Sequence, residues 1–85
     1  MQIELFSSPG CGRCGETAAL LEELVLDLDR ADIHWRLVDV IEELDYAVAL
    51  GVLATPAIAI GGRLVHTGAP GRRRLRELIE EAGDG

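Results

Sequence analysis

The sequence predicts an α/β domain in the order β-α-β-α-β-β-α, with a four-stranded mixed sheet and helices on both of its faces. Three observations predict it. Short apolar runs alternate with stretches whose apolar residues recur at three- and four-residue steps. The first two strand-like runs are joined by such a helical stretch, which makes them parallel with a right-handed crossover. Gly61-Gly62 separates the last two runs by two residues, the spacing of a tight antiparallel hairpin. At 85 residues the chain reads as a single domain, 1–85.

Ile3 to Phe6 is a short apolar strand that ends at the turn cluster Ser7-Ser8-Pro9-Gly10. From Cys11 the spacing turns helical through Cys14, Ala18, Leu21, Leu24 and Leu28, with Glu16, Glu22, Glu23 and Asp27 on the opposite surface, fading near Arg30-Ala31-Asp32. Ile33 to Val40 alternates as a second strand, with Ile33, Trp35 and Leu37 on one face. Glu42 to Leu50 reads as a short helix with Leu44, Ala47 and Val48 inward and Gly51 as its stop. Ala57-Ile58-Ala59-Ile60 and Arg63 to Thr67 form the hairpin. Gly68-Ala69-Pro70-Gly71 then breaks the sheet before a last helix with Leu75, Leu78, Ile79 and Ala82 in one stripe.

Composition narrows the function. Hydrophobic residues make up 48% of the chain, enough to exclude a disordered segment. The net charge is −7, from 15 acidic residues against 8 basic ones, all of them Arg. That balance argues against nucleic acid or an anionic membrane as a partner, because both need clustered cations. No apolar run approaches the roughly 18–20 residues of a membrane span, and the N-terminus lacks the features of a secretory signal. The expectation is a cytoplasmic monomer.

The two cysteines lie three residues apart in Cys11-Gly12-Arg13-Cys14. A bridge closing so short a loop restricts the unfolded chain little, so chemistry explains it better than stability. A thiolate carries out disulfide exchange, and the first turn of a helix stabilises an anion through unpaired N–H groups and the positive end of its dipole. Cys11 is the expected attacker with a lowered pKa, and Cys14, nearly a turn deeper, the shielded resolver. Gly12 leaves the approach to Cys11 uncrowded. Arg13 adds a cation that lowers the Cys11 pKa further, with Glu16 offsetting part of its charge.

The same spacing serves as a metal clip. Zinc prefers four ligands, and only His34 and His66 remain as soft candidates; two thiolates suffice for copper(I). A redox-sensitive adaptor that binds partners without turnover is a third reading.

The Cys-x-x-Cys after a strand, Thr55-Pro56 before the third strand, the Gly-Gly hairpin and the closing helix together resemble the glutaredoxin-like and small thioredoxin-like proteins, from Ile3 to about Ala82. The resemblance implies a thioredoxin-like fold and a thiol–disulfide oxidoreductase whose electrons reside in the Cys11–Cys14 disulfide, with no metal or organic cofactor. It implies a protein or low-molecular-weight disulfide as substrate, regenerated by a reductase or small thiol. It also implies that Pro56 is cis and that Thr55 and Pro56 form a substrate platform beside Cys11. Departures are visible. Gly10 stands where thioredoxins carry Trp, and Leu5 stands at their buried acid, with Glu4 facing the other way, so resolution by Cys14 draws on water or another base. The Gly-Gly-x-Asp run of glutaredoxins is replaced by Thr67-Gly68-Ala69-Pro70.

Arg72, Arg73, Arg74 and Arg76 crowd the start of the last helix, where cations oppose its dipole. They read either as a solvated face balanced by Glu77, Glu80 and Glu81 or, on the family's geometry, as a contact for an acidic partner or a small thiol's carboxylates.

Overall fold

The computed structural model describes residues 1–84. Strand β1 (Gln2–Ser7) leads to helix α1 (Cys14–Leu28), strand β2 (His34–Asp39), helix α2 (Leu44–Leu50), the hairpin β3 (Ala57–Ile60) and β4 (Arg63–Thr67), and helix α3 (Arg72–Asp84). The sheet order is β2-β1-β3-β4. β1 pairs parallel with β2, Gln2 opposite His34 through Ser7 opposite Asp39, and antiparallel with β3, Ile3 opposite Ile60. The expected order, pairing directions and layers are all present. No helix among the described residues is long and apolar enough to cross a membrane.

The hairpin forms where Gly61 and Gly62 both take positive φ, 62° and 80°, the requirement of a two-residue turn that matches strand twist. A bulge interrupts the ladder between Ile58 and Ala59. All four residues of β3 are buried, as expected of a central strand covered on both faces.

Alternation along the strands divides the interior in two. Ile3, Leu5, Ile58 and Ile60 point to one face and pack with Leu21 and Leu24 of α1 and Leu75, Leu78 and Ile79 of α3. Phe6, Val38, Ala57 and Ala59 point to the other and pack under Ala47, Tyr46 and Leu50 of α2.

Several expectations need correction. Helix α1 begins at Cys14, not at Cys11. The first helical amide bond to span the start is Thr17 N–H to the Arg13 carbonyl at 3.1 Å, leaving Cys11 to Arg13 in the turn ahead. Helix α2 begins at Leu44 and not Glu42, because the Asp39 carboxylate accepts the amides of Ile41 and Glu42 at 2.8 and 3.4 Å and holds them in a turn. On α2, Leu44 and Val48 are 55% and 65% exposed; Ala47 faces the sheet as expected, joined by Tyr46 and Leu50 in their place. Leu37, expected on one face of the strand with Ile33 and Trp35, is exposed, as is Ala82 at the end of the α3 stripe.

Charge enters the α2 face at one point. Glu4, 4% exposed, accepts from Arg36 Nε and Nη2 at 3.0 and 2.6 Å and from the Tyr46 hydroxyl. Arg36 also reaches Glu43 at 3.2 Å. A carboxylate taken from water is tolerable only with such donors around it. The same bond to Glu4, reinforced by burial, holds the Tyr46 phenol above its ordinary pKa.

Candidate active site

The end of β1 delivers the chain into the Ser8-Pro9-Gly10 turn. Gly10 takes φ 78°, a left-handed conformation that disfavours any residue with a Cβ. A tryptophan, the thioredoxin residue at this point, would be strained on this backbone. The Cys11 amide then donates to the Ser8 carbonyl at 3.2 Å, closing the turn.

Cys11 and Cys14 are joined, with an S–S distance of 2.02 Å and Cα atoms 5.6 Å apart. The pair is asymmetric. Cys14 opens α1 and is 7% exposed, whereas Cys11 precedes the helix and is only partly covered. The bond places the Cys11 sulfur against the first residue of α1, where no side chain among the described residues caps the helix and the first-turn amides are without intrahelical acceptors. An anion released at Cys11 therefore forms at the positive end of a 15-residue helix.

Arg13 and Glu16 lie 3.6 Å apart and both are largely exposed, so part of the Arg13 charge is met, as expected. A Cβ placed on Gly12 would meet nothing within 4 Å, so the space beside Cys11 is open toward solvent.

Across an open cleft from the cysteine turn lie Thr55, Pro56, Gly68 and Ala69. The Thr55–Pro56 peptide is cis, as the resemblance implied, and Pro56 is buried. The structure thus brings Cys11, Gly12, Arg13, Thr55 and Pro56 together around one opening. Sequence reasoning missed Ser8, whose hydroxyl bonds the Thr55 hydroxyl at 2.6 Å across the cleft wall. A hydroxyl in the turn before the cysteines and another before the proline are the signals that were available.

The remaining candidates sit elsewhere. Arg72 pairs with Glu23 at 3.0 Å and with Asp27, tying α3 to α1, and Arg74 lies 3.6 and 3.5 Å from Glu77 and Glu81. Arg73 has no ion pair among the described residues. His34 is exposed and His66 half-buried in strands, and among the described residues no three His, Cys, Asp or Glu side chains gather into a metal-binding group. Leu5, at the position of the thioredoxin acid, lies in the apolar cluster with no exposure, and Glu4 faces α2 as expected.

The family model of the thioredoxin domain matches residues 1–80. A "Probable Thioredoxin" of Methanothermobacter marburgensis is 34% identical over 82 residues, covering 95% of this chain and 94% of that protein. A thioredoxin of Methanocaldococcus jannaschii is 32% identical with the same coverage. Among solved structures, a thioredoxin variant from Halobacterium salinarum superposes with a TM-score of 0.75 at 26% identity, over 95% of this chain and 73% of that one. With these similarities to thioredoxins and a Cys-x-x-Cys disulfide at the start of its first helix, the chain belongs to the thioredoxin family of thiol–disulfide oxidoreductases.

Proposed function

We propose that the reduced protein attacks a protein disulfide with the Cys11 thiolate, on a platform formed by Thr55 and Pro56. The Cys11 sulfur bonds to one substrate sulfur and the substrate S–S bond breaks; the departing thiolate takes a proton. Cys14, deprotonated by water or another base, then attacks Cys11. That step breaks the mixed disulfide, releases the second substrate thiol and leaves the Cys11–Cys14 disulfide. Two electrons and two protons pass to the substrate, and a reductase or small thiol restores the pair. The redox-active disulfide is the only electron store the cycle uses.

The observation that carries this reading is the asymmetry of the pair: a partly exposed sulfur at the helix start, backed by one that is 7% exposed. Two further points support the platform. The peptide groups of Thr55 have no backbone partner among the described residues, so they are available to a docked segment. The space beside Gly12 lets such a segment approach. Arg13 assists by its charge, and Arg73, exposed and without an ion pair among the described residues, is the member of the arginine cluster with its charge free for a partner.

Trapping tests the assignment. With insulin as the disulfide probe, Cys14→Ser accumulates a mixed disulfide through Cys11, and Cys11→Ser accumulates none. Equal trapping by both variants, or none by Cys14→Ser, would refute the division of roles.

A further inference from the structure

The stretch between α2 and β3 is held at its two ends. The Val52 amide donates to the Ala47 carbonyl at 3.0 Å, and the Pro56 carbonyl accepts from the Gly68 amide at 2.8 Å. Between them Leu53 is 96% exposed, and among the described residues a single hydrogen bond fastens Leu53, Ala54 and Thr55 to anything else: Ser8 Oγ to Thr55 Oγ1 at 2.6 Å. Ser8 is engaged a second time, because its carbonyl accepts the Cys11 amide at 3.2 Å.

One residue therefore grips both walls of the cleft. Its backbone fixes the turn that carries the nucleophile, and its side chain fixes the loop that carries the platform. The pair also forms the ridge between the cysteine cleft and an apolar hollow lined by Leu44, Val48 and Leu53, since Ser8 and Thr55 border both. The bond is partly buried, so water competes with it less than with a surface contact.

We propose that Ser8 is a positioning residue for disulfide exchange: its hydroxyl, paired with Thr55, sets the gap between Cys11 and the Thr55-Pro56 platform and so governs how tightly a protein disulfide docks. The proposal rests on the platform reading above. Ser8 touches neither electron nor proton in the cycle, so its loss acts on docking and leaves the acidity of Cys11 alone.

The test is steady-state reduction of insulin, with KM and kcat resolved, in Ser8→Ala, Thr55→Val, the double variant, and the hydroxyl-retaining Ser8→Thr and Thr55→Ser. A hydrogen bond of this kind, lost on one side, corresponds to about a three- to tenfold rise in KM. Each hydroxyl deletion is expected to produce that rise with the Cys11 pKa at its native value. The double variant should be no worse than the more affected single one, because both remove the same bond, and the conservative variants should restore the native KM. Additive losses, or failure of both conservative variants to restore docking, would overturn the proposal. Pro56→Ala separates the two layers. If it raises KM while Ser8→Ala does not, the clamp is refuted and the platform stands; if neither raises KM, the platform falls and the clamp with it.

Discussion

On the face covered by α1 and α3, Ile3, Leu5, Leu21, Leu24, Ile58, Leu75 and Ile79 meet with almost no exposure, and the buried hydroxyl of Thr17 on α1 donates to the Arg13 carbonyl at 3.0 Å, at the start of its own helix. On the face covered by α2 the buried side chains are fewer and smaller, chiefly Phe6, Val38 and three alanines, and a carboxylate is set among them. The first face is held by the area it removes from water, a force without direction. The second is held by aimed hydrogen bonds, from Tyr46 and Arg36 to Glu4, that fix where α2 sits. The difference follows from what each helix must do. Helix α1 carries Cys14 and gains from rigidity, whereas α2 keeps Leu44 and Val48 in solvent beside the cleft. A helix with its apolar residues turned outward needs an anchor that area alone would not give.

The largest expected effect tests the dry face. Ile79→Ala, which removes a fully buried side chain among packed neighbours, should lower unfolding stability by about 2–5 kcal/mol. A loss below about 1 kcal/mol in urea unfolding would mean that this face collapses around the gap and is not tightly packed.

The α2 anchor comes next. Arg36→Met leaves the Glu4 carboxylate buried with Tyr46 as its remaining donor, so its urea midpoint should fall below that of Tyr46→Phe. Tyr46→Phe itself should cost about 1–2 kcal/mol. The anchor also has a pH signature. A phenol whose folded pKa is raised contributes stability that is fully present below its unfolded pKa of about 10 and is lost as pH rises through the folded value. The chain has one Tyr and no Lys, and in the oxidised protein the cysteines do not titrate, so Tyr46 is the one side chain whose ordinary titration lies near pH 10. Stability of the oxidised protein should fall above about pH 10, and the slope should flatten in Tyr46→Phe. An unchanged slope would show that the hydroxyl is not tied to Glu4.

The smallest effect is at Leu44. As an exposed side chain on α2, its change to Ser should move stability by no more than about 0.5 kcal/mol. A larger loss would mean that α2 depends on apolar contact after all, and the contrast between the faces would weaken.

The pattern of what could be read ahead follows the same divide. The hairpin was legible to the residue, because Ala57 to Ile60, Gly61-Gly62 and Arg63 to Thr67 carry their signals locally. The cysteine pair and Thr55-Pro56 were legible as motifs, and the resemblance supplied their meeting across the fold. The start of α1 was misplaced because Cys11 falls in helical register with Cys14, although Gly10 has already turned the chain into a separate loop. The buried role of Glu4 was hidden. An acid in an apolar strand looks like an outward residue until the register sets it opposite Arg36 and α2 brings Tyr46 over both. The inward face of α2 was legible at Ala47 alone: Leu44 and Val48 have the right spacing, but Tyr46 and Leu50 are what join Ala47 against the sheet. The Ser8–Thr55 bond spans 47 residues and depends wholly on the tertiary fold.

Disulfide exchange by this chain depends most heavily on the ionisation of Cys11 at the start of α1. Titration of thiolate ultraviolet absorbance in the reduced protein, compared with Cys11→Ser and Cys14→Ser, measures it directly. The expected result is a midpoint clearly below the ordinary thiol value of about 8.5, kept in Cys14→Ser and abolished in Cys11→Ser. A midpoint at or above that value in both the native protein and Cys14→Ser would contradict the account.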